Sequence, residues 1–238
     1  MNFGICLLAF GKEHVNECNH LIKSLFEIDK DLDIFVYTND FDYDIRGNVR
    51  RVLTTTEFNY NLKVEAVNFG LLYYDTVLFI DTDTHINKSI NFSLLDNIKQ
   101  DGFYTTKEPY TVFTHDDEVV SVHSLINNTD YGKEIVKLSG LSNLSFLDEQ
   151  KFVIRIEDEE KRYEFCQTWK KLFKNTKETH IENKHTGSPG IYEGLIMSTT
   201  CKLQNLPIVS DNVNTKSLFN NMSHYGWEID KPHNPTLI

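Results

Sequence analysis

The sequence has no CxxC or other closely spaced cysteine pair; its four cysteines are Cys6, Cys18, Cys166 and Cys201. A zinc site built on cysteine and a disulfide framework are therefore not expected, and buried thiols in a reducing compartment are. An excess of positive charge is missing too: 24 Lys and Arg stand against 35 Asp and Glu, a net charge of −11. Binding dominated by phosphate contacts needs the opposite balance, so a strongly electrostatic nucleic-acid binder is disfavoured, although a local basic patch is not excluded. There is no long hydrophobic run. The apolar stretch Ile5–Phe10 is too short for a membrane span, and Met1-Asn2-Phe3 carries no basic n-region, so a cytoplasmic location is expected. The sequons at Asn87, Asn91, Asn127, Asn143 and Asn221 then read as chance. No internal repeat, low-complexity tract or clear linker interrupts the 238 residues. One domain able to bury a large core is the expectation.

What is present is an alternation of strand and helix. Residues 3–10 are continuously apolar, as in a parallel strand buried on both faces. Val15, Cys18, Leu21, Ile22 and Leu25 make one helical stripe. Ile34–Tyr37 and Arg51–Leu53 read as strands, Leu62–Tyr74 as a helix, and Thr76–Ile80 as a fourth strand. That order implies βαβ units and a mainly parallel α/β sheet flanked by helices. The second half is less regular. Gly102–Thr106 and Tyr110–Thr114 suggest strands, Asp116-Asp117-Glu118 a solvated turn and Tyr163–Phe173 an amphipathic helix. Residues 174–190 read as loop, a helix is expected from about Glu193 to Leu203, and a strand at Ile208-Val209. The stretch from Asn212 to Ile238 has little periodicity and reads as a tail.

The fourth strand stops at Asp81-Thr82-Asp83. In an open α/β sheet, ligands bind beyond the carboxyl ends of the strands. Carboxylates two residues apart project to the same side of an extended chain, and paired hard oxygens suit Mg²⁺ or Mn²⁺, whose other ligands are commonly waters and substrate phosphates. Asp-x-Asp is also a common surface turn; its place directly after a buried strand favours the metal reading. Downstream, a neutral imidazole at His224 would suit Mn²⁺ better than Mg²⁺, with a surface histidine in a tail as the equally open reading, and a lysine closing a Gly-containing segment can meet a phosphate as a point charge.

Four pieces together resemble the nucleotide-sugar glycosyltransferases of the GT-A fold, most nearly family 8, which includes glycogenin and bacterial lipooligosaccharide galactosyltransferases. They are the first strand ending Ala9-Phe10, Lys63 a helix upstream of the acids, Leu78-Phe79-Ile80-Asp81-Thr82-Asp83, and Ser223-His224-Tyr225-Gly226-Trp227-Glu228-Ile229-Asp230-Lys231-Pro232. The last departs from the family's closing motif in three ways: Gly226 is two after His224 rather than three, the lysine comes one residue late, and His233 follows Pro232. The family's second aspartate motif has no recognisable counterpart. The resemblance implies a single GT-A domain: residues 1–100 for the nucleotide sugar, 101–211 for the acceptor, and 212–238 as a closing tail that orders when nucleotide binds. It implies Asp81, Asp83 and His224 as metal ligands. Ala9, Phe10, Thr38, Asp40, Lys63, Thr82, Gly226 and Lys231 would line the donor, with Lys231 on the diphosphate.

Glu193, in Gly190-Ile191-Tyr192-Glu193-Gly194, stands where a helix is expected to begin. A carboxylate there is stabilised by the helix dipole whatever else it does. GT-A enzymes often place an acid at such a helix start facing the acceptor, and by that resemblance Glu193 is the candidate catalytic base, with neighbouring glycines leaving room for the acceptor. A base opposite the leaving group would invert the anomeric centre, whereas family 8 retains it. Asp148 and Glu149 are rivals for the acceptor role, with a solvated helix start as the plainer reading. His185 lies in a Gly/Ser/Pro segment that would fold over the donor. Trp169 reads as core, and Trp227 as a stacking platform.

The resulting expectation is a Mn²⁺- or Mg²⁺-dependent hexosyltransferase moving a sugar from a nucleotide-diphosphate sugar, a UDP-sugar first of all. The acceptor hydroxyl would belong to a glycan, a lipid-linked sugar, a protein or a modified nucleobase. A sugar-1-phosphate nucleotidyltransferase is the alternative on a similar fold, but Gly11-Lys12-Glu13-His14 lacks the Gly-rich basic loop those enzymes carry. A non-catalytic nucleotide-sugar-binding module is the other. In a net-acidic chain a divalent cation would supply the positive charge that the diphosphate needs.

Overall fold

The structure, a computed structural model, describes residues 2–40, 48–55, 62–105, 110–115, 118–121, 135, 139–141, 143–147, 149–180 and 193–224. Its centre is a seven-stranded sheet in the order β11-β6-β10-β4-β1-β2-β3. β1 (Phe3–Ala9), β2 (Ile34–Thr38), β3 (Val49–Leu53) and β4 (Thr76–Ile80) run parallel. β10 (Lys151–Arg155) lies antiparallel between β4 and β6 (Gly102–Tyr104), and β11 (Ile208–Val209) runs parallel to β6 at the edge. The mainly parallel α/β expectation is met.

Side-chain alternation divides the core into two layers. Phe79, Phe152 and Ile154 point to one face, where they pack with α2 (Leu62–Leu71), α3 (Glu159–His180) and α4 (Glu193–Leu203). Leu78, Ile80 and Val153 point to the other, against α1 (Gly11–Ile28), a 3₁₀ turn at Phe92–Asn97 and α5 (Val213–Phe219). The stripe Val15, Cys18, Leu21, Ile22 and Leu25 is the buried face of α1. α2 is buried almost all round, Lys63 included. Its Gly70 lies against Cys6, where a Cβ would strike the sulfur. All four cysteines are free and buried, and burial pushes the Cys166 thiol up to about 12. Trp169 is core, as expected.

Two smaller sheets complete the chain: β7 (Tyr110–His115) between β8 (Glu118–Ser121) and β9 (Asn143–Phe146), and β12 (Met222–His224) paired antiparallel with β5 (Thr84–Ile86). Among the described residues no helix is long and apolar enough to cross a membrane.

Several boundaries differ from the sequence reading. α3 continues to His180, so residues 174–180 are helix, not loop; polar Lys and Glu leave no apolar stripe but are good helix formers. Glu118 opens β8 rather than closing a turn. β10 was hidden because Lys151 and Arg155 flank only three apolar residues. The stretch after Asn212 is not uniformly aperiodic: Asn212 caps α5 by accepting from the backbone N–H groups of Asn214 and Thr215, and β12 follows. Val213–Phe219 and Met222–His224 are therefore helix and strand rather than tail. The remainder of that stretch, with Gly226, Trp227 and Lys231, lies outside the described residues, as do Asp148 and His185.

Candidate active site

The parallel strands β1, β2 and β4 end together, and Asp81 follows directly. Because β10 runs antiparallel to β4, its first residue meets the last of β4: Lys151 stands opposite Ile80. The Asp81 N–H donates to the Gln150 carbonyl at 2.8 Å, which holds the acid-bearing turn against the entry to β10. The Thr84 N–H closes the turn onto the Asp81 carbonyl at 3.1 Å. Thr82 is buried beneath it, and the Asp81 side chain keeps 27% of its surface exposed.

Lys63 connects this turn to the opposite half of the molecule. Its ammonium, on a residue 5% exposed, donates to the Glu149 carbonyl oxygen at 2.8 Å. It lies 3.3 Å from Asp81 Oδ1, 3.3 Å from Glu193 Oε2, and 4.9 Å from the centre of the Phe79 ring. Burial alone would lower its pKa. The carboxylates of Asp81, Glu193 and Glu149 outweigh burial and hold it above the ordinary lysine value.

The acids respond in the other direction. Glu193, at the first turn of α4, is 2% exposed, and neither carboxylate oxygen has a well-formed hydrogen bond. Burial raises its pKa to about 7, with Lys63 opposing and the Asp81 charge adding. Glu149 is raised well above its ordinary range by burial and by the Glu193 charge, while Lys63 and the Gly194 N–H pull it down. That N–H donates to Glu149 Oε2 at 2.7 Å. Three carboxylates share this lysine, and the two buried ones, Glu149 and Glu193, hold their protons more readily than ordinary carboxyls do.

The third element is β12. Its register on β5 sets His224 opposite Thr84, the residue after Asp83, and Met222 opposite Ile86. The Asn87 N–H donates to the Asn221 carbonyl at 2.8 Å, and Ser89 Oγ is 2.9 Å from Asn221 Oδ1. Lys151 is 3% exposed, and its ammonium donates to the Met222 carbonyl oxygen at 2.6 Å.

The expected residues fall into three groups. Lys63, Asp81, Thr82, Asp83 and Glu193 gather around the end of β4, and the β12 backbone brings His224 beside them. Ala9, Phe10 and Thr38 stand at the ends of β1 and β2 but are buried. The exposed surface at that rim belongs to Gly11 and Asn39, with Asp40 half-buried. Asn39 Oδ1 accepts from the Gly11 N–H at 3.2 Å, and Thr38 Oγ1 from the Asp40 N–H at 3.1 Å. Gly226 and Lys231 lie outside the described residues.

Two readings require correction. Glu149 is not in a solvated helix start; it precedes β10 and belongs to the Lys63 cluster. The glycine beside Glu193 does not leave room for an acceptor, because a Cβ on Gly194 would collide with the Leu147 carbonyl. Sequence reasoning missed Lys151, and misread the surroundings of Glu149, because it missed β10. A recognised antiparallel strand would have put its first residues beside Asp81.

Among the described residues no three His, Cys, Asp or Glu side chains already form a metal-holding group. The donor set is nonetheless suited in kind to a divalent cation: two acids on one turn, one of them partly exposed, and a histidine carried by the adjoining ladder.

No family model matches the sequence, and no curated protein matches it. Solved structures do. The bifunctional glycosyltransferase WbbM superposes with a TM-score of 0.51 at 13% identity, over 96% of this chain and 47% of that one. The Streptococcus pneumoniae glycosyltransferase GlyE gives 0.50 at 11% identity, over 99% and 57%. The galactosyltransferase LgtC, in complex with donor and acceptor sugar analogues, gives 0.48 at 10% identity, over 94% and 87%. The chain thus spans about half the length of the first two. At these identities the likeness to the first two establishes the fold alone, and it agrees with the GT-A architecture that the resemblance implied.

Proposed function

We propose that this protein is a glycosyltransferase that moves a sugar from a nucleotide-diphosphate sugar, a UDP-sugar first of all, to a hydroxyl acceptor. One observation carries the reading: the β5–β12 register sets His224 next to the Asp81–Asp83 turn from far downstream in the chain. Two acids at the carboxyl end of a central strand, with a histidine on the adjoining ladder, are the residue types that would suit a cation and the phosphates it holds. Asp81, Asp83 and His224 would hold Mn²⁺ or Mg²⁺. When bound, the cation supplies Lewis-acid charge that neutralises a departing diphosphate.

The chain's own residues do the rest. Lys63 fixes the Asp81 carboxylate through the 3.3 Å pair and holds Glu193 at the same distance, so donor and acceptor halves share one anchor. Glu193, with a pKa near 7 and no well-formed hydrogen bond, is the acid proposed to meet the acceptor hydroxyl and take its proton. Glu149 steadies it by binding the Gly194 N–H. Thr82 and the rim at Phe10 and Asp40 border the donor, and Gly226 and Lys231 serve the diphosphate. The acceptor class stays open among glycan, lipid-linked sugar, protein and modified nucleobase.

The test is release of UDP from UDP-sugars with Mn²⁺ present. We expect release that requires Mn²⁺, is stopped by EDTA, and falls at least about 100-fold in Asp81→Asn and Asp83→Asn, since several kcal/mol of charge stabilisation would be lost. No release from any nucleotide sugar, together with no UDP binding by calorimetry, overturns the reading.

A further inference from the structure

Lys151 was no part of the sequence reading, yet among the described residues it is one of the few charged side chains that are buried. Burying an ammonium costs several kcal/mol unless good partners compensate, and a methionine of similar length would fill the same space without that cost. What the lysine adds is a charged donor, and it is spent on a main-chain oxygen: Nζ to the Met222 carbonyl, 2.6 Å. The placement of both ends matters. Lys151 pairs with Ile80, the residue before Asp81, and the neighbouring Gln150 carbonyl accepts the Asp81 N–H. Met222 begins the strand that ends at His224. One side chain therefore ties the backbone beside Asp81 to the backbone two residues before His224.

The strand it holds is in need of support. β5 and β12 form a two-stranded ladder of three residues each, and an isolated pair is marginal in water. A charge-assisted hydrogen bond is stronger than one between neutral groups. We propose that Lys151 is a positioning residue: by gripping the Met222 carbonyl it fixes β12 against β5 and so sets where His224 stands relative to Asp81 and Asp83. The inference rests on the cation site proposed above and deepens it.

A positioning role and a mere charge have opposite signs in a metal titration. Removing a nearby ammonium lowers the repulsion felt by a cation and tightens its binding; removing a strap from a ligand strand weakens it. The experiment measures Mn²⁺ affinity of the whole chain, without nucleotide, from the electron paramagnetic resonance signal of free Mn²⁺. Lys151→Met is expected to weaken binding about tenfold or more, the scale typical of residues that orient metal ligands. Lys151→Arg is expected to recover most of the loss. His224→Ala is expected to weaken binding, and Lys151→Met is expected to add nothing on top of it, because both act through the same ligand. Lys151→Gln, shorter but still a donor, serves if the methionine variant does not fold; it too must weaken binding. Unchanged or tighter Mn²⁺ binding in Lys151→Met or Lys151→Gln, or a loss fully additive with His224→Ala, overturns the proposal while leaving the cation site standing. If the unaltered protein binds no Mn²⁺, or binds it equally well as Asp81→Asn, the cation site fails and the role of Lys151 fails with it.

Discussion

Two buried lysines reach the same end of the sheet and meet different surroundings. Lys63 enters from α2 and faces acids, with Asp81 and Glu193 each 3.3 Å away. Lys151 enters from β10 and grips a neutral carbonyl. The first neutralises charge, and its environment has more acid than it can balance. The second anchors backbone. The same residue type thus balances acids on one side of Asp81 and holds backbone on the other.

The largest expected effect is on the acidic side. Lys63→Met strands three carboxylates and should cost about 3–5 kcal/mol at pH 8. The loss should shrink at pH 5.5, where Glu149 and Glu193 take up protons. Urea unfolding at the two pH values measures this, and an equal cost at both would break the contrast. Next is Glu193→Gln. The folded protein holds the Glu193 proton up to about pH 7, while the ordinary carboxyl has released it from about 4.5. Its contribution to stability is therefore full below about pH 4.5 and is lost as pH rises through about 7, a change on the order of 3 kcal/mol. The glutamine variant should flatten that slope.

Gly194→Ala should cost about 2 kcal/mol by forcing a methyl against the Leu147 carbonyl. It disturbs the Glu149–Glu193 side alone, so Mn²⁺ affinity should change far less than stability. Smallest is the stability effect of Lys151→Met, about 1 kcal/mol, because loss of the charged hydrogen bond is partly offset by no longer burying an ammonium. Urea unfolding at pH 8 measures it, and a loss as large as that of Lys63→Met would break the contrast.

The parts legible in the sequence were those with a strong local signal. β1, β4 and the stripe of α1 are apolar patterns that only a buried strand or an amphipathic helix explains. Asp81 and Asp83 were found because they interrupt such a strand. What escaped depends on tertiary partners. A strand framed by Lys151 and Arg155 looks polar until its neighbours are known. Glu149 looks like a surface acid until β10 turns it toward Lys63. Lys63 itself was singled out by resemblance, but its link to Glu193 joins α2 to α4, and no local pattern encodes that. The cap of α5 was readable, since Asn212 is a good N-cap residue, and was overlooked because the segment behind it lacks a long apolar stripe.

The pairing of β12 with β5 has a consequence for assembly. Thr84 and His224 are joined across most of the chain, so this contact closes one of the longest loops in the fold and carries a correspondingly large entropy cost. A chain still emerging from the ribosome can fold β1, β2 and β4 while the strand bearing His224 has yet to be made. In the cation site proposed above, the third ligand would be the last to be made. A cation that binds only the completed form would then draw the strand bearing His224 into place by mass action, and maturation of the proposed site and uptake of the cation would be one event.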